Sequence, residues 1–233
     1  MPYFFEGAKK HWKQILLFCF ISVIFWLLQF FYQKLIEQEP IEVSLVRSFA
    51  FAGTTFIALS LLTSIVFKFS PKLAVNWPLR RNLGVVGALF VLFHVFFASG
   101  LYFSFNFDLI YPTFDPFENP IVFGALALPI FILLTLTSTD FAVQKLGSKW
   151  KTIQQFAHIA FMLSIFHFLL QNPKALKGPP WYLLATTTFF VLLGQLYWFV
   201  KITLERKKIS TYTLVGLCII IIYLAFALYK LKN

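Results

Sequence analysis

Seven apolar runs constrain the fold of this chain more than any other feature. Each is about as long as the roughly 20-residue helix that crosses the hydrocarbon core of a bilayer. The runs are 15–32, 48–67, 83–103, 120–137, 153–171, 181–200 and 211–229. A backbone in lipid must satisfy its hydrogen bonds internally, so runs of this length form helices. We therefore expect an all-α fold, namely a polytopic transmembrane helix bundle.

The composition agrees with a chain that contacts lipid over most of its surface. Hydrophobic residues make up 59% of the 233 residues and charged residues only 12%, about half the charged fraction of a soluble domain. The formal net charge of +11 is not gathered in a soluble basic domain. We therefore expect membrane lipid, and no nucleic acid, as a partner.

The basic residues are divided unequally between the two ends of the predicted bundle. Fourteen of the 20 lie on the side that holds the N-terminus, and these are Lys9, Lys10, Lys13, Lys68, Lys72, Arg80, Arg81, Lys145, Lys149, Lys151, Lys201, Arg206, Lys207 and Lys208. The other end holds six basic residues together with acidic ones. The positive-inside rule places the basic side and the N-terminus in the cytoplasm.

Histidine is the only strongly functional side chain inside the predicted spans. His94 lies in the third run, and His158 and His167 lie in the fifth. An ionisable group at bilayer depth costs about 2.5–3.5 kcal/mol on insertion scales, so these residues are candidates for a site. A neutral imidazole that bonds a neighbouring helix explains a single histidine equally well.

Three histidines without an acid or a lysine in the spans narrow the chemistry. Zinc and copper sites often add a carboxylate or thiolate, a proton pump needs a carboxylate, and a retinal Schiff base needs a lysine. Haem iron is satisfied by two imidazoles inside an aromatic and aliphatic pocket. The phenylalanines that could supply such a pocket are Phe90, Phe93, Phe96, Phe97, Phe161, Phe166 and Phe168.

Helix geometry limits how the histidines can pair. His158 and His167 are nine residues apart, which puts them about 180° apart around a helix and about 13 Å apart along it. They cannot both ligate one iron, so His94 must pair with one of them. Depth in the membrane does not decide between the two.

Several motifs resemble those of a known family. Residues 80–84 (Arg-Arg-Asn-Leu-Gly), followed by His94 thirteen residues after the second arginine, resemble the R-R-x-L-G…H signature of the MsrQ/YedZ family. Residues 136–140 (Leu-Thr-Ser-Thr-Asp) and 145–151 (Lys-Leu-Gly-Ser-Lys-Trp-Lys) resemble its T-S-T…K-L-G-x-x-W element. His167 stands at the position of the family's later fifth-helix histidine.

The resemblance covers roughly residues 45 to 205 and implies a six-helix, ferric reductase-like core with b-type haem in a bacterial inner membrane. Residues 1–44 would then form an N-terminal lead, the first helix and an outer loop, and residues 206–233 an extra seventh helix. The resemblance also implies electron transfer across the membrane. In bacteria the family member serves a periplasmic molybdopterin enzyme that repairs methionine sulfoxide.

One departure from the family pattern bears on the ligands. Gln154 stands where the family has a further histidine, and His158 lies one turn later, about 40° around the helix, where it either replaces that ligand or is structural. The family-matched pair is His94 with His167, so we expect one haem, or a second with a single histidine. Arg80 and Arg81 either anchor the topology by snorkelling or bind haem propionates or an anionic donor.

The resulting hypothesis is an electron-transfer subunit of an oxidoreductase system. We expect no NADPH- or FAD-binding domain, because no G-x-G-x-x-G follows a strand. A cytoplasmic flavin reductase or a quinol would therefore reduce the haem, with FMN or quinone as further cofactors, and a periplasmic oxidoreductase would accept the electrons. The alternative is a non-redox assembly or transport subunit with structural histidines, although repeats and midplane charges typical of transporters are absent from the sequence.

Overall fold

The computed structural model describes residues 3–171 and 177–206, and these form helices and loops without a strand. The α-helices are α1 (Tyr3–Phe31), α2 (Ile41–Phe69), α3 (Trp77–Phe103), α4 (Phe107–Ile110), α5 (Ile121–Leu136), α6 (Asp140–Leu146), α7 (Ser148–Gln171) and α8 (Gly178–Arg206). A π-helix, Tyr32–Ile36, continues α1, and a 3₁₀ helix, Pro71–Asn76, precedes α3. The expected all-α helix bundle is confirmed.

Six of the seven predicted spans coincide with long helices, α1, α2, α3, α5, α7 and α8. The seventh, 211–229, lies outside the described residues. Within the described part, four segments are each long and apolar enough to cross a membrane, and the number rises to five if α5 and α6, which meet at a bend of 92°, are taken together as one broken span. The four are Leu16–Ile36, Ile41–Phe69, Pro78–Phe103 and Ser148–Gln171. Helix α8 is not among the segments that meet this test of length and hydropathy.

Helix α2 forms the centre of the bundle and packs against α1, α3, α7 and α8. One face of α2 contributes Phe49, Ala52 and Phe56 to an aromatic cluster with α1 and α3. The opposite face joins a second cluster built with α5, α7 and α8. Since both faces of α2 are covered by protein, it fixes where the neighbouring helices lie.

Two glycines allow α2 and α3 to approach closely. A Cβ placed on Gly87 would lie 2.8 Å from a side-chain carbon of Ile57 and 2.9 Å from the carbonyl oxygen of Gly53. A Cβ on Gly53 would in turn lie 3.0 Å from the carbonyl oxygen of Gly87. Small residues at such crossings are typical of membrane helix pairs, because they let backbones pack tightly.

A sharp corner joins α5 to α6 at the Thr-Ser-Thr sequence. The Ser138 hydroxyl donates a hydrogen bond to the Leu134 carbonyl (2.7 Å), and the Thr139 hydroxyl accepts one from the backbone N–H of Ala142 (3.2 Å). Thr139 therefore caps the start of α6. The Trp150 indole N–H of α7 donates to the Thr137 carbonyl (2.9 Å) and ties α7 to the corner.

Candidate cofactor site between α3 and α7

The imidazoles of His94 on α3 and His167 on α7 face each other near one end of the bundle. Their ring centres are 6.2 Å apart, and the ring planes are inclined by 60°. His94 lies nine residues before the end of α3, and His167 lies four residues before the end of α7. Both rings therefore lie toward the C-terminal ends of their helices.

Each imidazole is oriented by a backbone carbonyl from a neighbouring element. His94 Nδ1 lies 3.0 Å from the Val46 carbonyl oxygen of α2, and His167 Nδ1 lies 3.0 Å from the Pro120 carbonyl oxygen at the start of α5. A carbonyl only accepts hydrogen bonds, so each Nδ1 carries the proton in its neutral ring. Each Nε2 is then a free lone pair, as in metal-ligating histidines with a second hydrogen-bond partner.

The spacing of the two rings matches that of imidazoles on opposite sides of one metal ion. An imidazole nitrogen binds a metal ion at about 2 Å, and the ring centre lies about 1 Å behind that nitrogen, so two such rings have centres about 6 Å apart. Among the described residues, no group of three or more His, Cys, Asp or Glu side chains could hold a metal ion. The pair therefore suits an iron that brings its own in-plane ligands, as haem does.

A cavity of about 370 Å³ surrounds the two histidines between α2, α3, α5 and α7. Its volume lies within the roughly 300–1,000 Å³ of cofactor-sized pockets. Most of the lining is apolar, including Val46, Ala50, Phe51, Val91, Phe131 and Phe168. Gly124 faces the His167 ring, and a Cβ there would already lie 3.5 Å from it. The volume and lining of the cavity therefore suit an apolar group of cofactor size.

His158 lies apart from this cavity and contacts α8 instead. The side-chain amide nitrogen of Gln195 is 3.1 Å from His158 Nε2. The structure thus brings His158 to an amide on α8, and not into the cavity that His94 and His167 line.

Arg80 and Arg81 lie at the opposite end of α3 from the two facing histidines. They line a second cavity of about 60 Å³, together with Trp150 and Gln154. Arg81 forms an ion pair with Asp140 of α6, with Nη1 to Oδ1 at 2.5 Å. The amide nitrogen of Gln154 lies 3.3 Å from the Thr137 hydroxyl. The predicted arginines are therefore not part of the His94–His167 cavity.

Arg47 lines the larger cavity although nothing in the sequence motifs points to it. Among the described residues it is the only charged side chain that lines the 370 Å³ cavity. Arg47 directly precedes the predicted run 48–67, so the sequence indicates only a basic residue at the end of a span and no role in a site. The sequence does contain a signal for it, because Pro40 immediately precedes α2, and a helix that begins there puts Arg47 on the same face as Ala50, Phe51 and Thr54.

Comparison with known proteins identifies relatives of the chain. It is 30% identical over 135 residues to the "Protein-methionine-sulfoxide reductase heme-binding subunit MsrQ" of Agrobacterium fabrum, which covers 55% of this chain and 59% of that protein. Proteins of the same name from Brucella ovis and Brucella suis are 29% identical over 92 residues, or 39% of this chain and 41% of theirs. No family model and no solved structure matches the chain.

These similarities confirm the resemblance to the MsrQ/YedZ family that the motifs predict. The chain spans about half the length of the curated relatives it matches. Together with the apolar helices, the relatives identify a multi-pass membrane protein.

Proposed function

We propose that this relative of the MsrQ subunits binds one b-type haem between α3 and α7 and carries electrons across a bacterial inner membrane. His94 and His167 are the proposed axial ligands, and residues 45–205 the haem-binding core. The observation that carries the proposal is the 6.2 Å separation of the two ring centres, with each Nδ1 held by a carbonyl.

Haem held by these residues would supply a reversible one-electron couple. The chain contributes ligand position and environment. The carbonyl oxygens of Val46 and Pro120 fix the tautomer of each imidazole and raise its basicity as a ligand. The apolar lining, including Phe51, Phe131 and Phe168, would exclude water from the two imidazoles and lower the local dielectric constant, which disfavours the more highly charged redox form of a bound iron.

The position of the histidines supports delivery of electrons to the outer side. Both ligands lie in the outer half of their helices, on the side with fewer basic residues. We infer that a cytoplasmic flavin reductase, with FMN, or a membrane quinol supplies electrons, and that an external oxidoreductase receives them. The name of the relatives supports a methionine sulfoxide reductase as that acceptor.

One haem agrees better with the structure than two. The cavity beside Gln154, Arg80 and Arg81 holds only about 60 Å³, far below the size of a cofactor pocket. His158 contacts the Gln195 amide across to α8, which supports a structural role for it. We propose that Arg80 and Arg81 act at the donor side, by anchoring α3 and attracting an anionic donor.

Replacement of each histidine tests the ligand assignment. We expect the purified wild-type protein to show a reducible, low-spin b-type spectrum with close to one haem per chain. His94→Ala and His167→Ala each remove one axial imidazole, so each should abolish the low-spin spectrum. His158→Ala is the matched control, because it removes an intramembrane histidine outside the cavity, and it should retain both the spectrum and the stoichiometry.

Three results would contradict parts of this proposal. An unchanged spectrum in His94→Ala would exclude that residue as a ligand. Loss of half of two bound haems in His158→Ala would establish a second site. A colourless wild-type protein, expressed with sufficient haem, would favour the non-redox assembly or transport role.

A further inference from the structure

The His94–His167 cavity has a polar mouth at its outer end. Arg47 lines the mouth from the first turns of α2, Tyr102 from the last turn of α3, and Gln171 from the end of α7. The rest of the lining is mostly apolar, with Ala50 and Phe131 among its members and Thr54 and Ser164 as polar exceptions. The cavity is therefore amphipathic, with its cation at the opening.

Haem has the same division of polarity, because an apolar macrocycle carries two propionate carboxylates on one edge. A carboxylate buried without a partner is costly, so the propionates must face the polar mouth. We propose that Arg47 binds a haem propionate and so sets the orientation of the haem in the cavity. The inference rests on the proposed function, and it assigns the anchoring role to a residue other than Arg80 or Arg81.

The geometry around Arg47 suits this role. Its Nη1 forms an ion pair with Glu39 Oε1 at 2.5 Å, and both side chains are partly buried. A guanidinium has five donors in a rigid fork, so Glu39 can hold one side of the group while the remaining donors bind a second carboxylate. Glu39 thereby reduces the rotamer freedom that Arg47 would lose on binding.

Arg47 is also coupled to an axial ligand through the backbone. The carbonyl of Val46, the residue directly before it, accepts the hydrogen bond from His94 Nδ1. The same turn of α2 therefore holds the His94 ring through the Val46 carbonyl and offers the Arg47 guanidinium to the propionate. The two arginines of the sequence motif have no such access, since Arg81 is paired with Asp140 at the opposite end of α3.

The test compares Arg47→Gln with Arg47→Lys in the full chain, with Arg81→Gln as the control at the other end of α3. Reduction adds a negative charge, which a nearby cation stabilises, so Arg47→Gln should lower the reduction potential. We expect about a tenfold shift of the one-electron equilibrium toward the oxidised form, or about 59 mV. Arg47→Lys should keep most of the potential but bind haem less tightly, because it lacks the fork.

Haem dimethyl ester separates propionate binding from a structural effect. Each compound is supplied to the full chain purified without haem. The ester should bind the wild-type protein and Arg47→Gln with similar affinity. Haem should bind the wild-type protein about tenfold more tightly than it binds Arg47→Gln. If the wild-type protein and Arg47→Gln bind haem with equal affinity, or if Arg47→Gln has the reduction potential of the wild type, the inference is overturned while the proposed function remains intact. If Arg47→Gln does not fold, a wild-type affinity for the ester equal to that for haem would overturn the inference as well. A wild-type protein that binds neither compound would instead refute the proposed function.

Discussion

At the scale of single residues, three buried side-chain donors bind backbone carbonyls of other elements. His94 binds the Val46 carbonyl, His167 the Pro120 carbonyl, and Trp150 the Thr137 carbonyl. In lipid no water competes for these carbonyls, so each bond fixes the position of one helix relative to another element. The same interaction that satisfies a polar group also positions a proposed ligand.

Replacement of Trp150 by Phe tests the strength of one such contact. The variant loses the indole N–H donor to Thr137, which should cost about 1 kcal/mol and lower the thermal midpoint by about 2–4 °C for a chain of this size. Trp26→Phe is the matched control, because the buried indole nitrogen of Trp26 has no hydrogen-bond partner among the described residues. Equal shifts in the two variants would show that the Trp150 bond contributes nothing beyond ring size.

The sequence predicts the candidate ligands better than their arrangement. His94 and His167 stand out because they are polar residues in apolar runs, and helix periodicity already excludes a His158–His167 pair. The 6.2 Å between the rings depends on how α3 and α7 pack beside α2, which no local pattern encodes. Arg47 escapes notice for a related reason, since only the packed cavity shows which cation lies at its opening.

At the scale of helices, the contact between α2 and α3 determines where His94 lies. The close approach at Gly53 and Gly87 brings α3 against α2, and the carbonyl of Val46 is then within reach of the His94 ring. A wider crossing would break that hydrogen bond. The glycines therefore influence the proposed ligand although neither touches it.

Gly87→Val should separate the two helices. The new side chain would begin 2.8 Å from Ile57 and 2.9 Å from the carbonyl of Gly53, and overpacking of this kind costs about 1–3 kcal/mol. We expect a lower thermal midpoint and a lower haem content after purification. Gly84→Ala is the control on the same helix, because its Cβ would meet mainly the hydroxyl of Ser60, at 3.1 Å. Full haem content in Gly87→Val would show that the site tolerates a wider crossing.

Hydropathy predicts helix positions well and helix ends less well. The run 48–67 became a helix that begins at Ile41, because the residues after Pro40 remain helical although they include Glu42 and Arg47. The run 120–137 does end within one residue of the end of α5, at Leu136, but hydropathy did not predict the sharp turn into α6 that follows. Only the hydrogen bonds of Ser138 and Thr139 show that the chain turns there.

At the scale of the whole molecule, the distribution of basic residues gives an orientation that can be tested. The cytoplasmic side is proposed to include the segment before α3, and the outer side the loop between α4 and α5. The proposed direction of electron transfer depends on this orientation, because it places the His94–His167 pair nearer the outer surface.

Cysteine labelling checks the orientation. In a background with Cys19 and Cys218 replaced by Ser, Glu118→Cys should react with a membrane-impermeant thiol reagent in intact spheroplasts. Lys72→Cys should react only after the membrane is permeabilised. Both positions are exposed, so access depends on the side of the membrane alone. The reverse pattern would invert the proposed direction of electron flow.

The corner after α5 has a consequence for the surrounding lipid. A helix of 16 residues is about 24 Å long, which is about 6 Å shorter than an average hydrocarbon layer. Helix α6 then runs crosswise, at 92° to α5, and exposes 72% of Phe141. We expect acyl chains beside this corner to shorten or tilt to match it, which would give the protein a preference for a locally thin bilayer on one flank.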